Sequence, residues 1–203
     1  MKITLVLDAM GVMFRDADDV TALLHPYSVA QGGETDFDVV HDYYMRASDG
    51  AISPEELWTG IGLEPSVEDD YLRGFALNPG VVEFLDNLPP CVGDVWCLSN
   101  DVGRWSQKLR ARFDLDKYLR GTVISGDVFT RKPKPAIYKV LLDRTDAPRS
   151  KIVFVDDKPH NLVAAAEFGI RTVQFTASPG IEPEYDPALA SFAELAEWLR
   201  GLK

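Results

Sequence analysis

Four short stretches of this chain carry side chains able to act together on an anionic or electrophilic substrate. Asp8 follows the apolar run 3–7, and Ser99 and Asn100 follow a second run at 92–98. Lys132 sits in the loop Arg131-Lys132-Pro133, and Asp156 and Asp157 follow a run at 151–155. A carboxylate can serve as nucleophile and split one hard displacement into two easier steps. Neighbouring acids suit Mg²⁺, a hard cation that takes oxygen ligands and keeps several waters. A lysine beside a carboxylate favours its ionised form and stabilises negative charge on a group in transfer. A serine hydroxyl can donate a hydrogen bond to that same group. One aspartate at a strand end reads equally well as a turn or cap residue. Four polar stations at the ends of successive strands are a joint signal, because open α/β sheets bind ligands beyond the carboxyl ends of their strands.

The elements that must place these residues are visible in the hydrophobic pattern. Runs at 3–7, 92–98, 122–125, 151–155 and 171–175 read as buried strands. Segments 79–88, 102–113, 133–142, 161–168 and 191–199 show apolar residues at three and four spacing, as helices do. Strands alternating with helices predict parallel βαβ units and a doubly wound sheet. Residues 15–78 break the rhythm, with helical patterns at 18–30 and 37–47 and no convincing strand. Ser53-Pro54-Glu55-Glu56 opens a third helix there, with Ser53 as cap, Pro54 at the first position and Glu56 closing a capping box. Asn78-Pro79 opens the next core helix in the same way, and 176–187 reads as a surface loop. The expected fold is a Rossmann-like, three-layer α/β core with a parallel sheet, built from residues 1–14 and 79–203. An α-helical cap domain spans 15–78.

The net charge of −11 argues against nucleic-acid and anionic-membrane partners, since both need a basic patch. An anionic substrate then requires a locally positive site or a bound cation. Two cysteines, Cys91 and Cys97, and three scattered histidines are too few for a zinc site or a disulfide framework. No stretch approaches the ~20 apolar residues of a membrane span, and the first apolar run is too short for a secretory signal. A cytoplasmic location is the default expectation.

The order of the four stations resembles the four motifs of the haloacid dehalogenase superfamily, and the helical segment between the first two resembles the small α-helical cap of its subfamily I. The resemblance covers nearly the whole chain. It implies a magnesium-dependent hydrolase acting on a small phosphorylated metabolite through an aspartyl-phosphate, as monomer or homodimer. Asp8 is then the nucleophile. Ser99 orients the transferred group beside Asn100, and Lys132 is the lysine of the third motif. Asp8, Asp156, Asp157 and the backbone carbonyl of Met10 are the implied Mg²⁺ ligands. Asp157 can instead cap the helix that follows, which makes Asp156 the safer ligand.

One position departs from the pattern. Phosphatases of the superfamily carry a second aspartate two residues after the nucleophile, as general acid and base; here that residue is Met10. A thioether cannot shuttle a proton, and such help is typically worth ~10²–10⁴-fold. Three readings follow: a phosphohydrolase with another acid, a carbon–halogen hydrolase, or a weak enzyme that mainly binds metal and phosphate. Asp101 is the nearest replacement acid in sequence, although it reads better as a cap for the helix from Val102. Dehalogenases of the superfamily also lack the second acid, but they work without magnesium and usually lack the paired acids found here. A phosphonate hydrolase needs a cap lysine, and residues 3–106 contain none. Arg15, Tyr43, Tyr44, Arg46 and Trp58 are the candidate cap contacts to substrate. Arg73 reads as a solvated charge, and His25 and His41 as non-catalytic.

Overall fold

A computed structural model describes residues 2–202. Six strands form one sheet: β1 (Ile3–Leu7), β2 (Val92–Ser99), β3 (Gly121–Ile124), β4 (Ile152–Asp156), β5 (Arg171–Phe175) and β6 (Ala188–Leu189). Their order is β3-β2-β1-β4-β5-β6, and every pairing is parallel. β1 lies between β2 and β4, so all five of its residues are buried. That burial on both faces explains its unbroken apolar sequence. The chain leaves β1 for β2 on one side and returns to β4 on the other. This reversal opens a crevice at the carboxyl end of β1. Register brings the stations to one edge: Leu7 pairs with Cys97 on one side and Val155 on the other.

The core helices are α5 (Val81–Asp86), α6 (Gly103–Arg112), α7 (Ser125–Val128), α8 (Pro135–Thr145), α9 (Pro159–Ala166) and α10 (Phe192–Arg200), numbered after four in the insertion. Two apolar clusters separate the faces of the sheet. Leu5, Leu7, Val95 and Val153 join residues of α5, α6 and α10. Val6, Leu98, Val123 and Phe154 join residues of α8 and α9. The result is the expected three-layer α/β arrangement.

The insertion holds a π-helical turn at Val20–Leu24 and helices α1 (His25–Ala30), α2 (Phe37–Ser48), α3 (Pro54–Gly60) and α4 (Glu68–Leu72). The predicted capping box is present at α3. The insertion shares its apolar cluster with one face of the core: Trp58 and Tyr71 pack as tilted rings against Trp105 of α6 at 5.3 and 5.0 Å between ring centroids. Glu68 lies buried in this contact. It accepts hydrogen bonds from Trp58 Nε1 (3.2 Å), Trp105 Nε1 (2.8 Å) and Arg104 (2.6 Å), and pairs with Lys108 Nζ at 2.8 Å.

Three details differ from expectation. Ser125 begins α7 rather than ending β3. The segment after residue 187 adds the two-residue strand β6, too short for any periodicity to reveal. Asn78 does not cap a helix, because Gly80 is the N-cap of α5. Among the described residues, no helix is long and apolar enough to cross a membrane.

Candidate active site

A cavity of about 330 Å³ lies between the strand ends and the insertion. Its floor is Asp8, Met10, Ser99, Asn100, Lys132 and Asn161, and Asp18, Asp19, Val20, His41 and Tyr44 contribute from the insertion. Asp156 and Asp157 are fully buried beside Asp8, and one carboxylate oxygen from each of the three lies within 4.8 Å of the others. All four sequence stations therefore converge.

Lys132 is 2 % exposed and bridges two acids, with Nζ 2.8 Å from Asp8 Oδ2 and 2.7 Å from Asp156 Oδ2. Burial opposes its charge, but Asp156 and Asp8 hold its pKa above the ordinary lysine value. Asn100 braces it: Asn100 Nδ2 donates to Lys132 O (2.9 Å), and Lys132 N donates to Asn100 Oδ1 (2.8 Å). The Asn100 amide is thus engaged with the Lys132 backbone through both its nitrogen and its oxygen. Ser99 Oγ is buried with no hydrogen-bond partner.

The two acids after β4 differ sharply. Asp156 Oδ1 accepts from Lys158 N (2.8 Å) and Asn161 Nδ2 (3.0 Å), while Oδ2 accepts from Lys132. Burial pushes its pKa up, but Lys132 and these donors hold it below the ordinary value. Both oxygens of Asp157 are buried and unpartnered. Burial, with repulsion from Asp156 and Asp8, pushes Asp157 up to about 8. Burial likewise raises Asp8 despite Lys132 beside it. Asp157 is not a helix cap, since the N-cap of α9 is Lys158, without a side-chain bond. Asp156, the safer ligand on the sequence, has both oxygens engaged, whereas both oxygens of Asp157 are open.

The turn after β1 is built around these acids. Gly11 has φ +77°, and a Cβ there would lie 2.6 Å from Asp157 Cγ. Glycine satisfies both constraints. Asn78 Nδ2 donates to Val12 O (2.7 Å), and Ser178 Oγ to Gly11 O (2.9 Å). Gln174 Nε2 donates to Asp157 O at 3.2 Å. Gln174 and Ser178 did not stand out in the sequence, and Asn78 did so only as a helix opening, since their partners lie far away along the chain.

A family model described as haloacid dehalogenase-like hydrolase matches residues 5–169. The chain belongs to the haloacid dehalogenase-like hydrolases. Its similarity within that family runs in two directions. It is 25% identical over 192 residues to (S)-2-haloacid dehalogenase 4A of Burkholderia cepacia, covering 89% of this chain and 82% of that protein. It is 29% identical over 96 residues to a phosphorylated carbohydrates phosphatase of Thermotoga maritima, covering 47% and 44%. The fold matches a haloacid dehalogenase-family enzyme of Bacteroides thetaiotaomicron, solved with magnesium and inorganic phosphate. There the TM-score is 0.71 at 18% identity, covering 92% and 98%. The L-2-haloacid dehalogenase of Xanthobacter autotrophicus gives 0.70 at 18%, covering all of both chains.

For this haloacid dehalogenase-like hydrolase the insertion supplies fewer contacts than its sequence suggested. Tyr44 lines the cavity, but Trp58 is wholly buried on Glu68, and Arg46 pairs with Asp42 at 3.6 Å. Arg15, Tyr43 and Arg73 do not line it, whereas His41 does. Asp101 is buried outside the cavity, its Oδ1 accepting from Val102 N at 2.7 Å. It neither faces Met10's cavity nor caps α6 through a side-chain bond, because the N-cap there is Val102. Sequence reasoning missed Asp19, a 5 % exposed cavity residue whose Oδ2 has no partner.

Proposed function

We propose that this hydrolase is a magnesium-dependent phosphohydrolase that attacks a small phosphorylated metabolite with Asp8 and passes through an aspartyl-phosphate. The observation that carries this reading is Asp157, a buried carboxylate with two unpartnered oxygens beside Asp8 and Asp156. Burying unpaired ionised carboxylates is costly, and a hard divalent cation offsets that cost. The donor set is all oxygen, which suits Mg²⁺ better than softer metals. Asp8, Asp157 and the Met10 carbonyl would hold the ion, with Asp156 fixing Lys132 behind them. When bound, Mg²⁺ supplies neutralisation of the phosphoryl charge.

The chain's own residues then divide the work. Lys132 favours the ionised form of Asp8 and faces charge on the transferring group. Ser99 Oγ, with its bonding capacity unspent, donates to a phosphoryl oxygen. Asn100 fixes the Lys132 backbone, so the ammonium is already in place before substrate arrives. Residues 15–78 act as a cap over a core of 1–14 and 79–203, and the cavity volume limits the substrate to a small molecule.

The test is phosphate release from p-nitrophenyl phosphate, with Mg²⁺ and with a chelator, beside halide release from 2-chloropropionate. Magnesium-dependent phosphate release, abolished in Asp8→Asn, is the expected result. A second reading, carbon–halogen hydrolysis, is favoured by the similarity to the Burkholderia dehalogenase over most of the chain and by Met10, since halide leaves without a proton. Metal-independent halide release would establish it. Neither activity, with Mg²⁺ still bound, would mark a weak enzyme that mainly binds.

A further inference from the structure

We propose that Asp19, in the insertion, is the general acid and base that Met10 cannot be. The inference rests on the phosphohydrolase reading and adds the missing proton donor to it.

In-line displacement sets the direction. Asp8 attacks from the floor of the cavity, so the leaving oxygen departs on the opposite side, toward the insertion. An effective proton donor stands on that side. Among the cavity residues there, Asp18 is engaged with Thr21 through N (3.1 Å) and Oγ1 (2.7 Å). Burial drives the Tyr44 hydroxyl well above its ordinary pKa, which makes it a poor acid near neutrality. His41 is exposed and stacked on Phe37 at 5.7 Å. Arg131 is paired with Asp49 at 3.2 Å, and Lys158 offers a cation rather than an acid. Asp19 alone in this group is a buried acid with an oxygen left free. Burial pushes its pKa up to about 6, against the lowering pull of Lys158 and of the neighbouring Tyr44 hydroxyl and with a raising push from Asp18. That places it in the range where a carboxyl group can both give and accept a proton.

The proton balance closes over one cycle. As Asp8 forms its bond to phosphorus and the ester P–O bond breaks, the protonated Asp19 gives its proton to the leaving alkoxide, and the alcohol departs. Water then attacks the aspartyl-phosphate. Asp19 carboxylate takes a proton from that water as the Asp8–phosphorus bond breaks. Phosphate leaves, with Asp8 ionised and Asp19 protonated again.

The experiment measures single-turnover phosphorylation of Asp8 by ethyl, phenyl and p-nitrophenyl phosphate, in wild type, Asp19→Asn, Asp19→Glu and His41→Asn. An alkyl leaving group needs a proton, and nitrophenolate scarcely does. Asp19→Asn is expected to lose ~10²–10³-fold on ethyl phosphate and far less on p-nitrophenyl phosphate, which steepens the dependence on the leaving group. Asp19→Glu keeps a carboxyl group and is expected to retain the shallow dependence at a reduced rate. This variant also reads the role if the asparagine variant fails to give a cooperative melt. Equal losses on all three esters in Asp19→Asn would overturn the proposal, as would steepening in His41→Asn alone. If wild type releases no phosphate with any ester, the phosphohydrolase reading falls first. If wild type is active and Asp8→Asn is dead, but Asp19→Asn is indistinguishable from wild type, only the role of Asp19 is lost.

Discussion

Two buried acidic regions, one within the contact between insertion and core and one at the cavity, are built to opposite rules. On the α4–α6 side, Glu68 is 3 % exposed and meets two indoles, a guanidinium and an ammonium. Burial works against its charge, yet these donors hold its pKa below the ordinary value. On the cavity side, Asp157 is 1 % exposed with no partner on either carboxylate oxygen, and its pKa rises to about 8. Similar burial with opposite hydrogen-bond satisfaction separates a carboxylate that clamps structure from one held ready for a ligand. Lys132 belongs to both kinds: its charge is fully paired, but one of its partners is Asp8, the proposed nucleophile.

The contrast is disrupted most severely at Lys132. Lys132→Met is expected to abolish turnover and to leave Asp8 and Asp156 buried without a cation. Breaking a buried pair costs roughly 3–5 kcal/mol, read by denaturant titration at pH 7. A variant of wild-type stability and activity would show that Lys132 is dispensable to both. Next comes the clamp. Glu68→Gln puts an amide donor among four donors and should cost about 3 kcal/mol, with kcat per folded molecule kept within a few-fold. A large loss of kcat at unchanged stability would mean the clamp serves catalysis instead.

Much of the site is legible in the amino-acid sequence, because its signals are local. Three of the stations end an apolar run and Lys132 follows in the loop after the third strand, and the alternation of strand and helix brings them to one edge. The capping box at Ser53 is equally local and appears as expected. What the sequence hides is contact between distant segments. Nothing around Asp19 marks it as buried until the insertion folds back over the strand ends. Asn78 looks like a helix opening, yet its amide braces the turn 66 positions earlier at Val12. The contrast between Asp156 and Asp157, adjacent and identical, depends on Lys132 and Asn161 choosing one of them. Met10 is visible at once as a departure, and Asp19, its proposed replacement, comes to the cavity only in three dimensions.

Smaller effects probe the same contrast. A carboxylate whose folded pKa is raised contributes stability at low pH that is lost as pH rises through the folded value. Metal-free protein is therefore expected to lose stability as pH rises from about 4, the ordinary carboxylate value, through about 8, partly because Asp157 must ionise unpaired. Asp157→Asn should flatten that slope in chelator and remove the Mg²⁺-induced rise in Tm. A slope unchanged in the variant would place the titration elsewhere. Met10→Asp offers the finest test of proton supply. It should add little to wild type but restore much of the ethyl phosphate activity lost in Asp19→Asn. Equal gains in both backgrounds would show that the two positions do not share a role.

The proposed chemistry turns on one bond, formed between the carboxylate of Asp8 and phosphorus in a magnesium-dependent step. Mass spectrometry of acid-quenched single turnovers with a phosphate monoester reads that bond itself. A phosphoryl group on the peptide containing Asp8, formed with Mg²⁺ and absent with chelator, is the predicted result. Turnover with Asp8 unmodified, or an ester on Asp8 formed from a 2-haloacid without any metal, would contradict it.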